Sequence, residues 1–329
     1  MKFRKYVGFA LIVGLLIIVP FISKSPYFLH IMIMMAFNIS LVLSYNFSVG
    51  EVGTLSLAHA TFFGVGGYAA AILAMRSIDG ISFWLELLIA ILVAGVVALF
   101  IGTLSFRLPD RSFAIGTLAF AMIALQIAQN WIPVTNGPMC IVPVPKPQID
   151  LPFGISYQLT SVQGYYFIAL ALALITFLFS NRLKLSRIGR AFNAVREGST
   201  LAASIGINVL KYKMLAMVLG AVFAGSVGAV YAHYVKVMCP VELSFNMILN
   251  LLIMIYVGGV GSIRGAILGA VIFTGLPELL RMAPQLRMLL YGIILFLSTV
   301  FLPGGLETIT VKLIDHVKRL FAGKSVSSE

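Results

Sequence analysis

Charged residues are scarce in this sequence. Only 10% of its 329 residues are charged, whereas 60% are hydrophobic, and a soluble globular domain typically carries about 45–50% apolar and about 25% charged residues. A water-soluble fold of this length could not hide so much apolar surface, because over half of a folded protein's accessible surface is already apolar. The composition therefore excludes a soluble enzyme and a nucleic-acid binder, despite a net charge of +12, and indicates an integral membrane protein.

Cysteines and nucleotide-binding motifs are equally scarce. The two cysteines, Cys140 and Cys239, are too few for a disulfide framework, and the sequence leaves open whether they pair. No His/Cys cluster has metal-ligand spacing, so no metal or other cofactor is predicted. The fragment Gly323-Lys324-Ser325 lacks the upstream glycine and the strand of a P-loop. We therefore predict that the chain is not an enzyme and that any ATP is hydrolysed by another chain.

Long apolar runs dominate the chain and predict an all-α membrane fold. Runs near 20 residues fit helices that cross a hydrocarbon core about 30 Å thick, because backbone groups in lipid must be satisfied within the segment. Most of the 23 basic residues fall on the cytoplasmic side when both termini are cytoplasmic, as the positive-inside rule requires. About ten spans are expected, near 6–22, 27–45, 57–75, 83–106, 112–131, 164–180, 213–234, 244–262, 265–280 and 288–302.

The spans are predicted to form one membrane domain, residues 1–305, with two long loops and a tail. Residues 132–163 are expected outside and are rich in proline. Residues 181–212 are expected inside and carry the densest group of basic residues. The basic cytoplasmic tail at 306–329 fits either an amphipathic helix on the inner leaflet or a solvated segment.

A glycine-rich segment near residues 48–70 combines small and polar residues. Polar groups at membrane depth usually face a cavity or the bundle interior, and glycines on both sides of Glu51 predict broken or re-entrant backbone. Close helix packing is the alternative explanation for the glycines. The candidate path residues are Glu51, Thr54, Ser56, His59, Gly64 and Gly66.

The stretch 53–64, GTLSLAHATFFG, resembles the G-Q-L-S-L-G-H-A-x-F-x-G segment of the branched-chain amino-acid permeases of ABC importers, the LivM/LivH type, and the chain is closer to LivM. Thr54 stands where the family usually has Gln, and Ala58 where it usually has Gly. The resemblance covers about residues 35 to 305. It implies that the candidate path residues lie along a translocation pathway.

The basic inner loop, SRIGRAFNAVREGSTLAASIGINVLKYK at 186–213, has helical spacing of apolar residues. Gly198-Ser199-Thr200 breaks this pattern, and Gly206 fits the C-terminal cap of a second helix. An ordinary cytoplasmic loop explains the arginines but not the paired alanines. The stretch resembles the coupling loop of the same family, which implies docking on an ATPase subunit through Arg196, Glu197, Ala202, Ala203 and Gly206.

Two further segments are predicted to be turns, and four isolated polar residues lie near predicted interfaces. Asn136, Gly137 and Pro138 resemble part of the family's T-G-G-P-M turn on the outer loop, where docking of a binding protein is a hypothesis. Val257–Ser262, VGGVGS, resembles the family's L-G-G-x-G-S bend, and either a tight connection or a gate fits it. Snorkelling to the interface explains the isolated residues, which are His30, Glu86, His233 and Glu242.

The resemblance implies a permease subunit of an ABC importer in the cell (inner or plasma) membrane, carrying branched-chain amino acids. Its implied partners are a second permease subunit in a heterodimer, two ATP-binding cassette ATPase subunits, a soluble substrate-binding protein and the lipid bilayer, with no nucleic acid. Urea, short amides and other amino acids are alternative substrates. An ATP-independent secondary transporter or channel is the alternative of another class, but Glu51 is its one serious candidate for a coupling-ion site.

Overall fold

Apolar helices build the molecule. The computed structural model describes residues 14–21, 25–76, 82–151, 155–158 and 161–279, together with 292–293, 296 and 305–308. Within these residues, five helices are long and apolar enough to cross a membrane. They are Pro26–Glu51, Phe83–Ser105, Ser112–Asn130, Val162–Leu185 and Val209–Val235.

The elements follow one another with short connections. Residues 14–21 are helical and precede the first labelled helix. The α-helices are α1 (Pro26–Asn46), α2 (His59–Arg76), α3 (Phe83–Ser105), α4 (Asp110–Asn130), α5 (Ile132–Thr135), α6 (Val162–Leu185), α7 (Arg187–Glu197), α8 (Ser199–Ser204), α9 (Val209–Val235), α10 (Phe245–Gly258) and α11 (Ile263–Leu279). A π-helix at Phe47–Glu51 extends α1, and 3-10 turns lie at Gly137–Met139 and Pro240–Leu243.

Helix α9 lies at the centre of the bundle and packs against α1, α2 and α3. Small residues let its backbone approach theirs, because a glycine leaves no side chain between two helices. A Cβ at Gly225 would meet the side chain of Ala94 on α3, and one at Gly228 would meet the carbonyl of Phe63 on α2. The interior is therefore fixed by close backbone contacts as well as by apolar side chains.

Helix α3 shows what a lipid-facing surface looks like in this protein. Its exposed side carries large apolar residues along the whole length of the helix. Side chains of this kind are favourable in hydrocarbon and unfavourable in water. The exposed residues of α3 include Trp84, Leu88, Leu92, Val96 and Phe100.

Helices α10 and α11 are shorter than the spans expected at 244–262 and 265–280. Helix α10 has 14 residues and α11 has 17, so they rise about 21 and 25 Å, less than the core thickness of about 30 Å. The residues between them turn sharply, with φ of 125° at Gly259 and 82° at Gly261. The prediction of a span that continues to residue 262 was wrong, because these left-handed glycines end the helix first.

The loop predicted at 132–163 carries structure of its own. An antiparallel hairpin joins β1 (Gln148–Leu151) and β2 (Ile155–Gln158), with Ile149 opposite Tyr157. A disulfide links Cys140 to Cys239, 99 residues later, which decides a pairing that the sequence left open. We call the region formed by residues 132–151 and 236–243 the disulfide-linked cap.

Snorkelling was the wrong explanation for Glu86 and His233. Their side chains are only 4% and 1% exposed, and Glu86 Oε2 lies 2.8 Å from His233 Nε2. The other ring nitrogen, Nδ1, lies 3.0 Å from the carbonyl of Pro145 in the cap. Because a carbonyl only accepts, Nδ1 carries a proton. The carboxylate and the imidazole are therefore buried against each other, although the angles of the contact are not those of a hydrogen bond.

Three predictions lie wholly or largely outside the described residues. The expected first span at 6–22 is seen only as helix at 14–21. The expected span at 288–302 and the tail at 306–329 are described only at residues 292–293, 296 and 306–308.

Candidate translocation and coupling site

The predicted break in the glycine-rich segment is confirmed. Helix α1 passes into the π-helix Phe47–Glu51, and the chain then runs without regular helix until α2 begins at His59. Gly53 has φ of 80°, a left-handed conformation that glycine adopts without strain. We call residues 47–58 the break. Short π-helical segments inside α-helices occur often at functional sites.

Polar side chains of the break and its surroundings form hydrogen bonds inside the protein, mostly to backbone carbonyls of the break. Tyr45 donates its hydroxyl to the carbonyl of Ser56 at 2.7 Å, and its ring stacks on that of His59 at 4.7 Å. His59 Nε2 lies 3.0 Å from Ser44 Oγ on α1. The Thr54 hydroxyl donates to the carbonyl of Ser48 at 3.2 Å. These groups hold the two ends of the break in place.

Gly64 and Gly66 lie at close contacts between elements. A Cβ at Gly66 would meet the backbone of Gly225 on α9, and one at Gly64 would meet the side chain of Leu243. Both glycines are buried. This geometry favours the packing explanation for these two positions.

The break and the bend at 259–262 meet. The backbone N–H of Gly261 donates to Asn46 Oδ1 at 3.0 Å, and a Cβ at Gly50 would lie 2.6 Å from Gly261 N. We call this contact between the break and the bend the junction. A cavity of about 260 Å³ opens beside it, with Lys184 and Ser262 in its lining.

Two cations from the α6–α7 region reach into the junction. Arg196 Nη1 donates to the carbonyl of Gly50 at 2.5 Å. Lys184 Nζ donates to the carbonyl of Gly261 at 2.8 Å and lies 3.8 Å from Glu51 Oε1. Glu51 itself is buried. Arg196, predicted as a docking residue, is exposed in part, and its guanidinium binds the backbone of the break.

The remaining predicted coupling residues divide into buried and exposed. Glu197 and Ala203 are exposed, but Ala202 is buried in a cluster with Phe192 and Val195. Two large apolar side chains that are exposed on this segment were not among the predicted residues. Leu201 is 73% exposed and Ile205 is 74% exposed. Their signal in the sequence was an apolar residue on each side of the paired alanines in an otherwise polar loop.

The segment that carries these residues has the boundaries expected for it. Helix α7 ends at Glu197 and α8 begins at Ser199. Gly206 has φ of 86°, and the N–H of Ile207 donates to the carbonyl of Ala202 at 3.0 Å, so a left-handed glycine ends α8 as predicted. We call residues 198–206 the docking turn.

The turn predicted in the 132–163 loop is also confirmed. Asn136 has φ of 61° and Gly137 has φ of 55°, and Pro138 lies in the 3-10 turn that follows. Asn136 Nδ2 donates to the carbonyl of Cys140 at 2.8 Å. The turn therefore positions the cysteine that is bonded to Cys239.

Comparison with known proteins identifies the family. Residues 8–299 match the family described as "Branched-chain amino acid transport system / permease component". The chain belongs to this permease family. It is a multi-pass membrane protein, and its relatives are transporter subunits rather than enzymes.

Named relatives of this permease come from bacteria and an archaeon. The "High-affinity branched-chain amino acid transport system permease protein LivM" of Escherichia coli is 30% identical over 83% of this chain and 68% of its own length. The LivH protein of Salmonella typhimurium is 26% identical over 74% and 81%. The "Probable branched-chain amino acid transport permease protein LivM" of Methanocaldococcus jannaschii is 23% identical over 77% and 80%. No solved structure matches this permease.

Proposed function

We propose that this chain is a permease subunit of an ABC importer for branched-chain amino acids. The names of its relatives supply the substrate class and the type of transporter. The observation that carries the proposal is the physical connection from the docking turn to the break, made by Arg196 at the end of α7. A connection of this kind is what an ATPase needs to move a transmembrane segment from the cytoplasmic side.

The proposed topology has ten spans with both termini in the cytoplasm. The protein would lie in the inner or plasma membrane of the cell. The basic loop 181–212 then lies inside, as the positive-inside rule favours. The disulfide Cys140–Cys239 then lies outside, where an oxidising environment lets it persist. The two observations are independent and support the same orientation.

The docking turn is the proposed contact for an ATPase subunit. Leu201 and Ile205 project from it with most of their surface exposed, and Ala203 and Gly206 beside them are exposed as well. Small residues between two larger apolar ones suit insertion into a groove on a partner, where apolar burial supplies the binding energy. The partner ATPases would bind and hydrolyse the ATP.

The remaining proposed partners are a second permease subunit and a soluble substrate-binding protein at the disulfide-linked cap. This chain resembles both LivM and LivH proteins, which favours a pair of related permeases. We propose that the translocation path passes the break, where Glu51, Thr54, Ser56 and His59 lie. In the static structure these four side chains are buried, so the path would open there only when the junction rearranges.

The test is reconstitution in liposomes with candidate ATPases, the second permease and the binding protein. Leucine uptake should require ATP and all partners. Leu201→Glu should abolish co-purification of the ATPase and reduce uptake at least about tenfold, since it places a charge in an apolar contact. Met139→Glu is the matched control for ATPase co-purification, because Met139 is also largely exposed but lies on the cap.

The outcomes separate the two classes of transporter. Uptake by this chain alone, driven by an ion gradient without ATP, would contradict the proposal and favour a secondary transporter. Unchanged ATPase binding in Leu201→Glu would remove the docking turn from the proposal. Uptake of urea or amides instead of leucine would keep the transporter type and change the substrate.

A further inference from the structure

We propose that Glu242 of the disulfide-linked cap forms, with Tyr231 and Tyr68 of the adjoining helices, a binding site for the ammonium group of the transported amino acid. The inference rests on the proposed function and deepens it by assigning residues to one part of the substrate. Glu242 was predicted to be an ordinary interfacial residue. In the structure, the surroundings of its carboxylate are those of a ligand-binding site.

The carboxylate of Glu242 lies between helices α9 and α2 and has an aromatic environment. Tyr231 on α9 donates its hydroxyl to Glu242 Oε1 at 2.9 Å. The Tyr231 ring packs edge-to-face on Phe63 of α2, with 5.2 Å between centroids. Among the described residues, no Lys, Arg or His forms an ion pair with Glu242. The second carboxylate oxygen is therefore left without a cation.

Two features fix the turn that carries Glu242. Cys239 at its start is bonded to Cys140. Leu243 at its end packs directly over Gly64, where any side chain would displace it. The absence of a side chain at Gly64 therefore lets the Pro240–Leu243 turn approach α2, which places Glu242 against the bundle.

A buried hydroxyl without a partner is the second, independent observation. Tyr68 is 6% exposed, and its Oη has no hydrogen-bond partner among the residues that the structure describes. It packs in the same apolar cluster as Leu243, the residue after Glu242. Buried hydroxyls are nearly always hydrogen-bonded, so an orphan in a native structure calls for an explanation.

A primary ammonium is the ligand whose chemistry fits these groups. It carries one positive charge and three N–H donors, which match a carboxylate oxygen and the free lone pairs of two phenol oxygens. Aromatic rings around a cation add favourable cation–π interaction. Branched-chain amino acids present such a group beside an apolar side chain, and the apolar cluster next to Tyr68 suits the latter.

The test uses the reconstituted transporter with Glu242→Gln, Tyr68→Phe and Tyr234→Phe. Glu242→Gln keeps the acceptor for Tyr231 but removes the charge, and Tyr68→Phe removes only the orphan hydroxyl. Tyr234→Phe is the matched control: it removes a hydroxyl three residues further along α9 that is bonded to His30. Initial leucine uptake is measured at saturating loaded binding protein, and the unfolding temperature of the purified transporter is measured with and without leucine.

Glu242→Gln should reduce uptake at least about tenfold, the usual consequence of losing a hydrogen bond to a charged group. Tyr68→Phe should reduce it severalfold, Tyr234→Phe should leave it unchanged, and leucine should stabilise the wild type but not Glu242→Gln. A merely structural role predicts the opposite for Tyr68→Phe, because removing an unsatisfied buried hydroxyl is neutral or stabilising.

The outcomes also separate this inference from the proposed function. Wild-type uptake rates in both Glu242→Gln and Tyr68→Phe overturn the ammonium site while leaving the importer intact. Absence of ATP-driven leucine uptake by the wild type contradicts the proposed function and the site with it.

Discussion

The two ends of the helical bundle are held by different kinds of interaction. At the junction, Arg196 and Lys184 bind the carbonyls of Gly50 and Gly261. At the cap, a disulfide joins two segments, and the buried Glu86–His233 pair lies against the cap carbonyl of Pro145. The junction depends on long cations that bind backbone carbonyls and, through Lys184, approach buried Glu51, whereas the cap depends on a covalent bond and a buried carboxylate–imidazole contact.

This difference indicates which end moves. Hydrogen bonds from a flexible cation to a backbone carbonyl exchange with water at a net cost of about 1.5–3 kcal/mol, so closure of the proposed ATPases would need to supply only an energy of this size to rearrange them. At the cap the disulfide is covalent, and separating Glu86 from His233 would leave two buried polar groups uncompensated, at about 1–3 kcal/mol each. We therefore expect the junction to be the moving part and the cap to be the fixed frame.

The largest effect is expected from adding a side chain at the junction. In Gly50→Ala the new methyl group would lie 2.6 Å from Gly261 N and would collide with the Asn46 side chain, so the break and the bend must separate. We expect destabilisation of about 3 kcal/mol, typical of overpacking against backbone. The measurement is chemical or thermal unfolding of the purified protein in detergent.

Gly95→Ala is the control for Gly50→Ala. A Cβ at Gly95 would contact Val222 Cγ2 at 3.6 Å, an ordinary distance, and alanine favours a helix over glycine by about 1 kcal/mol. This variant should be neutral or more stable. Equal stability of the two variants would contradict the close contact at the junction.

The next effect concerns the cap. Cys140→Ser with Cys239→Ser removes a link across 99 residues, and losses of about 2–4 kcal/mol are typical for native disulfides. Uptake that depends on the binding protein should fall, whereas ATPase co-purification should be unchanged, because the docking turn lies at the other end. Lost ATPase binding in this variant would contradict the separation of the two ends.

The smallest effect is a pH dependence at Glu242. Burial raises the pKa of Glu242, and the hydrogen bond from Tyr231 partly opposes this rise. A carboxyl group whose pKa is higher in the folded than in the unfolded protein stabilises the fold at pH values below its unfolded pKa. This stabilisation is lost as the pH rises through the folded pKa. The unfolding temperatures of wild type and Glu242→Gln should differ progressively more above the ordinary value of 4.5. A difference in unfolding temperature between the two proteins that does not change with pH would contradict a buried carboxyl group at Glu242.

Local features of this fold could be predicted from the sequence. Glycines around Glu51 predicted the break, and Gly206 predicted the end of α8, because both depend on the conformational freedom of a single residue. Asn136 predicted its left-handed turn for the same reason.

Contacts between distant segments could not be predicted in this way. Arg196 lies 146 residues from Gly50, and nothing near either residue indicates the other. Glu86 and His233 each fit an interfacial position when considered alone, and only the packing of α3 on α9 shows that they are buried against one another. The length of the span predicted at 244–262 was overestimated, because the apolar residues continue past the glycines that end helix α10.

The most direct test of the account is the number of leucine molecules transported per ATP in Arg196→Met, with Arg187→Met as the control. Arg187 is an exposed arginine at the start of α7, and its replacement should leave the ratio unchanged. Methionine at 196 keeps an unbranched apolar stem but has no N–H to donate to the carbonyl of Gly50. The account predicts normal ATPase assembly and hydrolysis with leucine uptake reduced at least about tenfold. An unchanged ratio of leucine to ATP in Arg196→Met would contradict the junction as the connection between the docking turn and the translocation path.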